Sequence, residues 1–122
     1  MSSENQRCVV VAVFTPKPGH TEAIKDVLTA IIPEVHEEKG CEFYALHEMP
    51  DGKLCFIEAW DSRELWVEHT EFHTVTRINE QIAEHLAHPV DVHEMYAVPA
   101  GGEKGLIPLG AKSFLSPFSR RW

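Results

Sequence analysis

Within residues 56–73, FIEAWDSRELWVEHTEFH, the chain sets one carboxylate, Glu58, and two imidazoles, His69 and His73, among Phe56, Trp60, Trp66 and Phe72. Imidazole titrates near neutrality, so either histidine can take a proton from a phenol or hydroquinone and return it. A carboxylate buried without a charged partner is pushed toward its neutral form and can hold a proton at the same pH. Aromatic walls suit a flat ligand, and Trp60, Trp66, Tyr44 and Phe72 are the candidates for them. Ordinary duties fit each residue equally well: a histidine closing a core hydrogen bond, a glutamate orienting it, aromatics filling a core. Glu58 has a further option, a buried ion pair with Arg77.

His69 and His73 are four apart, a spacing that puts two imidazoles on one face of an unbroken helix and suits a metal ion. Two ligands do not make a site. The third would have to be Glu58, His47 or His93, and nothing in the sequence brings any of them near. A helix break at Thr70 would separate the pair, so no metal is assigned. His20, His36, His85 and His88 lie at helix ends or beside charged neighbours and read as surface residues.

These groups need a strand and a helix to position them. Leu54, Phe56, Glu58 and Trp60 alternate with Cys55, Ile57 and Ala59, the period of a strand with two distinct faces. Asp61 opens a D-x-x-E capping pattern with Glu64, which predicts a helix over 62–69 beginning at the strand's end. A second helix is expected from about Thr70, where Phe72, Val75, Asn79, Ile82 and Leu86 recur at spacings of three and four, with Pro89 closing it.

Upstream, residues 8–14 (CVVVAVF) read as a central strand ended by Thr15, Pro16, Pro18 and Gly19. Apolar residues from Ile24 to Val35 then recur at helical spacing over about 20–39, with Gly40 as the stop. Pro33 inside that stretch is expected to bend the helix or end it early. Residues 41–49 and 53–60 are strand patterns joined through Pro50, Asp51 and Gly52, whose Asp-Gly pair signals a hairpin. Residues 90–98 supply the last strand. The order β-α-β-β-α-β predicts an α+β, ferredoxin-like fold, an antiparallel sheet with helices on one face.

The strand ending in Glu58-x-Trp60, the acidic turn at Asp61, and the helix with His69 followed by His73 together resemble the antibiotic biosynthesis monooxygenase family. The resemblance runs over about residues 8–98. It implies two sheets packed face to face as a dimeric α+β barrel, hence a homodimer. It also implies a small aromatic substrate and dioxygen as partners, with His69, His73 and Glu58 as catalytic candidates. No cofactor is expected, since no G-x-G-x-x-G occurs and Pro18-Gly19 lacks a phosphate loop. The substrate must then supply the electrons, giving a cofactor-free oxidation of a hydroquinone-like or polycyclic phenol. Haem-degrading relatives would pair a tryptophan like Trp66 with a histidine about three turns on, where this chain has Thr76. A cofactor-free isomerase of a small carbonyl compound and a non-catalytic ligand-binding dimer are the alternatives.

The chain has 122 residues, enough for one domain and no second core. A formal charge of -8 argues against nucleic acid and anionic lipid as partners. No run approaches a membrane span and the first residues, MSSENQRC, lack the apolar core of a secretory signal, so a cytoplasmic location is expected. Cys8, Cys41 and Cys55 lie in apolar runs and read as reduced thiols. The charge is uneven: 18 acidic against 7 basic residues up to Val98, then Lys104, Lys112, Arg120 and Arg121 against Glu103. That basic stretch also carries Leu106, Ile107, Leu109, Phe114, Leu115, Phe118 and Trp122. We therefore divide the chain into a domain over 1–98 and a C-terminal arm over 99–122 expected to pack on the partner subunit.

Overall fold

A computed structural model of the chain describes residues 6–108. Four strands, β1 (Cys8–Phe14), β2 (Cys41–Glu48), β3 (Leu54–Trp60) and β4 (Asp91–Met95), form one antiparallel sheet in the order β2-β3-β1-β4. Three helices, α1 (Thr21–His36), α2 (Arg63–Thr70) and α3 (His73–Ile82), complete the expected ferredoxin-like α+β order.

Alternation in the strands decides what is buried. Cys8, Val10, Ala12 and Phe14 of β1 join Leu54, Phe56 and Trp60 of β3 and Tyr44 of β2 in one cluster. Ile24, Leu28, Ile31 and Val35 from α1, with Ile78 and Ile82 from α3, close it from above. The strand register places Glu58 directly opposite Tyr44 on one side and Val10 on the other, so its carboxylate lies on this covered face. The opposite face presents Val11, Val13, Phe43, Ala45 and Ile57 at the paired positions, and Ala45 is exposed. Edge strand β4 is exposed throughout and shorter than the expected 90–98, since its ladder ends with Met95 opposite Val9.

Local chemistry explains the element ends. The hairpin between β2 and β3 turns where expected, with Gly52 at φ +93° and its N–H bonded to Met49 O at 2.9 Å. Helix α1 runs on past Pro33 but only to His36, closing through Glu37 N–H to Glu34 O and Glu38 N–H to Val35 O. The expected cap of α2 is corrected: Ser62, not Asp61, accepts from Leu65 N–H at 3.2 Å. The helix begins at Arg63, so Asp61 stands one position outside the cap, where its N–H bonds Gly40 O at 2.8 Å.

His20 and His85, expected at the surface, are half-buried and bond each other through their Nδ1 atoms at 2.9 Å. Cys8, Cys41 and Cys55 are free thiols. Residues after Val98 are exposed as far as they are described, and Arg7 Nη1 donates to Ile107 O (3.0 Å) and Pro108 O (3.1 Å) while its Nε meets Glu42 Oε1 at 3.1 Å. The remainder of the expected arm, 109–122, lies outside the described residues.

Gly40 couples the sheet to α2. Its φ is +85°, and a Cβ there would stand 2.5 Å from Leu65 Cδ1 and 2.8 Å from Leu65 Cβ. Gly40→Ala is therefore expected to cost about 1–3 kcal/mol, from overpacking and left-handed strain together. Chemical denaturation measures it; unchanged stability would mean that α2 is not pinned at this turn.

Candidate active site

Three helix ends meet around one carboxylate. Glu38 stands just beyond α1, His69 is in the last turn of α2, and Thr74 is in the first turn of α3. Between the latter two the chain turns through Glu71 and Phe72, whose N–H groups bond Glu68 O (3.1 Å) and His69 O (3.0 Å). Glu38 Oε1 lies 2.8 Å from His69 Nδ1, and Glu38 Oε2 accepts from Thr74 Oγ1 at 2.6 Å. An ionised carboxylate only accepts, so an imidazole facing one would carry its proton on Nδ1 and leave the Nε2 lone pair free. Helix ends reinforce the pair: the C-terminal turn of α2 favours positive charge at His69, and the N-terminal turn of α3 favours negative charge at Glu38.

Aromatic rings fix the imidazole. Trp60 stacks on His69 with centroids 4.4 Å apart and planes at 29°, and Tyr44 meets it edge-on at 5.6 Å. Tyr44 in turn stacks on Phe56 at 3.9 Å. Trp60 Nε1 donates to Glu58 Oε1 at 3.0 Å, so the indole stands between the buried carboxylate and the imidazole. Glu58 is 4% exposed and His69 5%.

Burial sets the charge states. It pushes the Glu58 carboxyl up to about 7, with the Trp60 hydrogen bond opposing the rise and the Glu38 charge adding to it. Burial pulls His69 below the usual imidazole value, partly offset by the hydrogen bond and charge of Glu38. The Tyr44 hydroxyl is driven well above the usual phenol range by burial. Near neutral pH the site thus holds a neutral imidazole and a half-protonated carboxyl.

A cleft of about 350 Å³ opens at His69. Its walls are His69, Leu65 and Phe72, with Glu34, Glu37, Glu38, Glu68 and Lys39 around them. Phe72, 45% exposed, presents its ring to this opening. The structure therefore gathers His69, Glu58, Trp60 and Tyr44 in one stack and brings Phe72 to the cleft. It does not bring His73 with them: His73 is the first residue of α3 and exposed. Trp66 is half-buried against the core, and neither it nor Glu58 lines the cleft. The expected option of a Glu58–Arg77 ion pair is replaced by Arg77 bonded to Glu34 at 3.1 Å.

The same helix break ends the shared-face geometry of His69 and His73. Among the described residues no group of three or more His, Cys, Asp or Glu side chains could hold a metal ion. Sequence reasoning missed Glu38 and Thr74. Glu38 belongs to a run with Glu34 and Glu37 that reads as a solvated helix end, and Thr74 carries no motif; only the fold brings both to His69.

Glu58 makes stability depend on pH. Its folded pKa of about 7 stands above the ordinary 4.5, so its contribution is complete below pH 4.5 and lost as pH rises through about 7. Glu58→Gln imitates the protonated form and keeps an acceptor for Trp60. Its stability should gain on the wild type as pH rises, by on the order of 3 kcal/mol at pH 8. Thermal unfolding at pH 5 and pH 8 tests this, and parallel curves for the two proteins would contradict it.

Residues 7–81 match the sequence profile of the family described as antibiotic biosynthesis monooxygenase. The Mycobacterium tuberculosis protein named "Putative monooxygenase Rv0793" is 34% identical over 84 residues, which cover 68% of this chain and 83% of that protein. The solved structure of Rv0793 superposes with a TM-score of 0.72 at 30% identity, over 79% of this chain and 99% of that one. The crystal structure of PA3566 from Pseudomonas aeruginosa gives a TM-score of 0.71 at 23% identity, over 80% of this chain and all of that one, and so speaks for the fold alone. With the profile spanning more than half its length, the chain belongs to the antibiotic biosynthesis monooxygenase family.

Proposed function

We propose that this chain is a monooxygenase that oxidises a hydroquinone-like or polycyclic phenolic small molecule with dioxygen, using electrons from the substrate itself. The observation that carries this reading is His69: neutral, buried, held at Nδ1 by Glu38, and set in the wall of an aromatic-edged cleft. Family membership supports the reaction class.

In this reaction Nε2 takes the phenolic proton. The imidazolium that forms is stabilised by Glu38 and stands as counter-charge to the phenolate, among wall carboxylates that disfavour an anion on their own. The phenolate passes an electron to dioxygen, and the two radicals combine at a ring carbon that bears hydrogen. His69 then returns its proton to the peroxide oxygen. Loss of the carbon-bound proton to Nε2 breaks the O–O bond, forms a carbonyl and releases hydroxide, which takes that proton as water. One oxygen atom stays in the quinone and the other leaves as water. Glu58 acts on Trp60 in this account, holding the indole against the base, and Phe72 and Leu65 hold the flat substrate.

A homodimer through the open sheet face belongs to the same reading. Val11, Val13, Phe43, Ala45 and Ile57 would otherwise face water at roughly 25 cal/mol per Å². The arm, 99–122, would extend over the partner, its basic residues facing the acidic body.

Oxygen uptake with a reduced naphthohydroquinone, in chelator and without added cofactor, tests the activity. His69→Ala should lower kcat by roughly 10² or more, and His73→Ala should leave it within about threefold. Because Nε2 must be unprotonated, kcat should rise with pH through a value below the ordinary imidazole value of about 6.5. Uptake that survives His69→Ala would overturn the assignment. Light scattering should give about twice 13.8 kDa; a stable monomer would reject the dimer.

A further inference from the structure

We propose that Glu38, clamped by Thr74, is a positioning residue that selects the tautomer of His69 and so decides which ring nitrogen serves as the base. This rests on the reading of His69 above, but its test does not.

The geometry leaves the carboxylate little choice. One oxygen faces His69 Nδ1 at 2.8 Å and the other takes the Thr74 hydroxyl proton at 2.6 Å. Thr74 is 1% exposed, His69 5%, and the Glu38 side chain 8%. Water has little access to any of the three, so each must find its partner in the others. Free histidine in water prefers the proton on Nε2. Here the carboxylate holds it on Nδ1, which leaves the Nε2 lone pair free to take a proton from a ligand in the cleft. Trp60 and Tyr44, packed on the face and edge of the ring, restrict rotation that would exchange the two nitrogens.

Thr74 gives the clamp its direction. Its hydroxyl donates to Glu38, and at 1% exposure it keeps that donor satisfied only while position 38 offers it an oxygen. A carboxylate offers acceptors on both sides, and His69 must then donate. Glutamine has the same shape but only one acceptor. With that oxygen committed to Thr74, its NH2 would face His69 Nδ1 and force the proton to Nε2. Glu38→Gln should therefore invert the tautomer without removing any packing, and disable the base although every ring stays in place. Loss of a base through the wrong tautomer is costly in enzymes of other folds.

The test is nitrogen-15 NMR of the full-length chain at pH 8, with the His69 signals assigned by difference from His69→Gln. The wild type should show a pyrrole-type Nδ1 and a pyridine-type Nε2 at His69, and Glu38→Gln the reverse. Where turnover is measurable, Glu38→Gln should lower kcat by ~10²-fold or more with KM within about threefold. A wild-type His69 protonated on Nε2, or an unchanged tautomer in Glu38→Gln, would overturn the proposal. A purely structural Glu38 would shift the melting temperature and leave the nitrogen assignments alone. If no phenol is oxidised by any variant, the proposed reaction fails while the tautomer measurement still decides the role of Glu38.

Discussion

One carboxylate, Glu38, holds the ends of three helices in register. It takes a hydrogen bond from His69 in α2 and another from Thr74 in α3, and it sits two residues beyond the end of α1. Had α2 continued unbroken into α3, the N-terminal turn that favours the Glu38 charge would not exist, nor would the C-terminal turn that favours a cationic imidazole. The break that removes the geometry for a His69–His73 metal pair is thus the feature that builds the Glu38–His69 pair.

The sheet supplies the other half of the site. Strand β3 carries Glu58 and Trp60 on the face that its register buries, and Tyr44 lies across the ladder from Glu58. Placing a carboxylate there is expensive unless it is neutral or paired, and the Trp60 N–H is the hydrogen bond given to it. The same indole packs on the imidazole, so burial of Glu58 and alignment of His69 are consequences of one side chain. The arrangement sets His69 in the wall of the cleft and covers nearly all of its ring with protein.

Much of this was legible in the sequence, because period-two strands and turn chemistry are local. Asp51-Gly52 marked the hairpin, alternation from Leu54 to Trp60 marked a two-faced strand, and the element order marked the fold. The gathering of acid, base and aromatic groups at one end of the sheet followed from a strand entering a helix at once, whereas the stack of Trp60 on His69 came only with the fold. Three things were not legible. Ser62 rather than Asp61 caps α2 because the helix begins at Arg63, with the Asp61 N–H bonded to Gly40 O, a contact between segments distant in sequence. Pro33 neither broke α1 at once nor let it reach Lys39, since the helix closes one turn later through the N–H groups of Glu37 and Glu38. Glu38 and Thr74 lie 31 and 5 positions from His69 with no spacing rule to connect them; only packing of three helix ends does so.

The reaction proposed for this chain is an oxygen insertion in which the substrate provides every electron. Turnover of a reduced naphthohydroquinone under ¹⁸O-labelled dioxygen measures this most directly, with His69→Ala as the reference for uncatalysed autoxidation. That reaction requires one labelled atom in the quinone formed by the wild type and the other in water, at a rate far above the variant's. Product with no labelled oxygen, or label incorporated equally by His69→Ala, would contradict it.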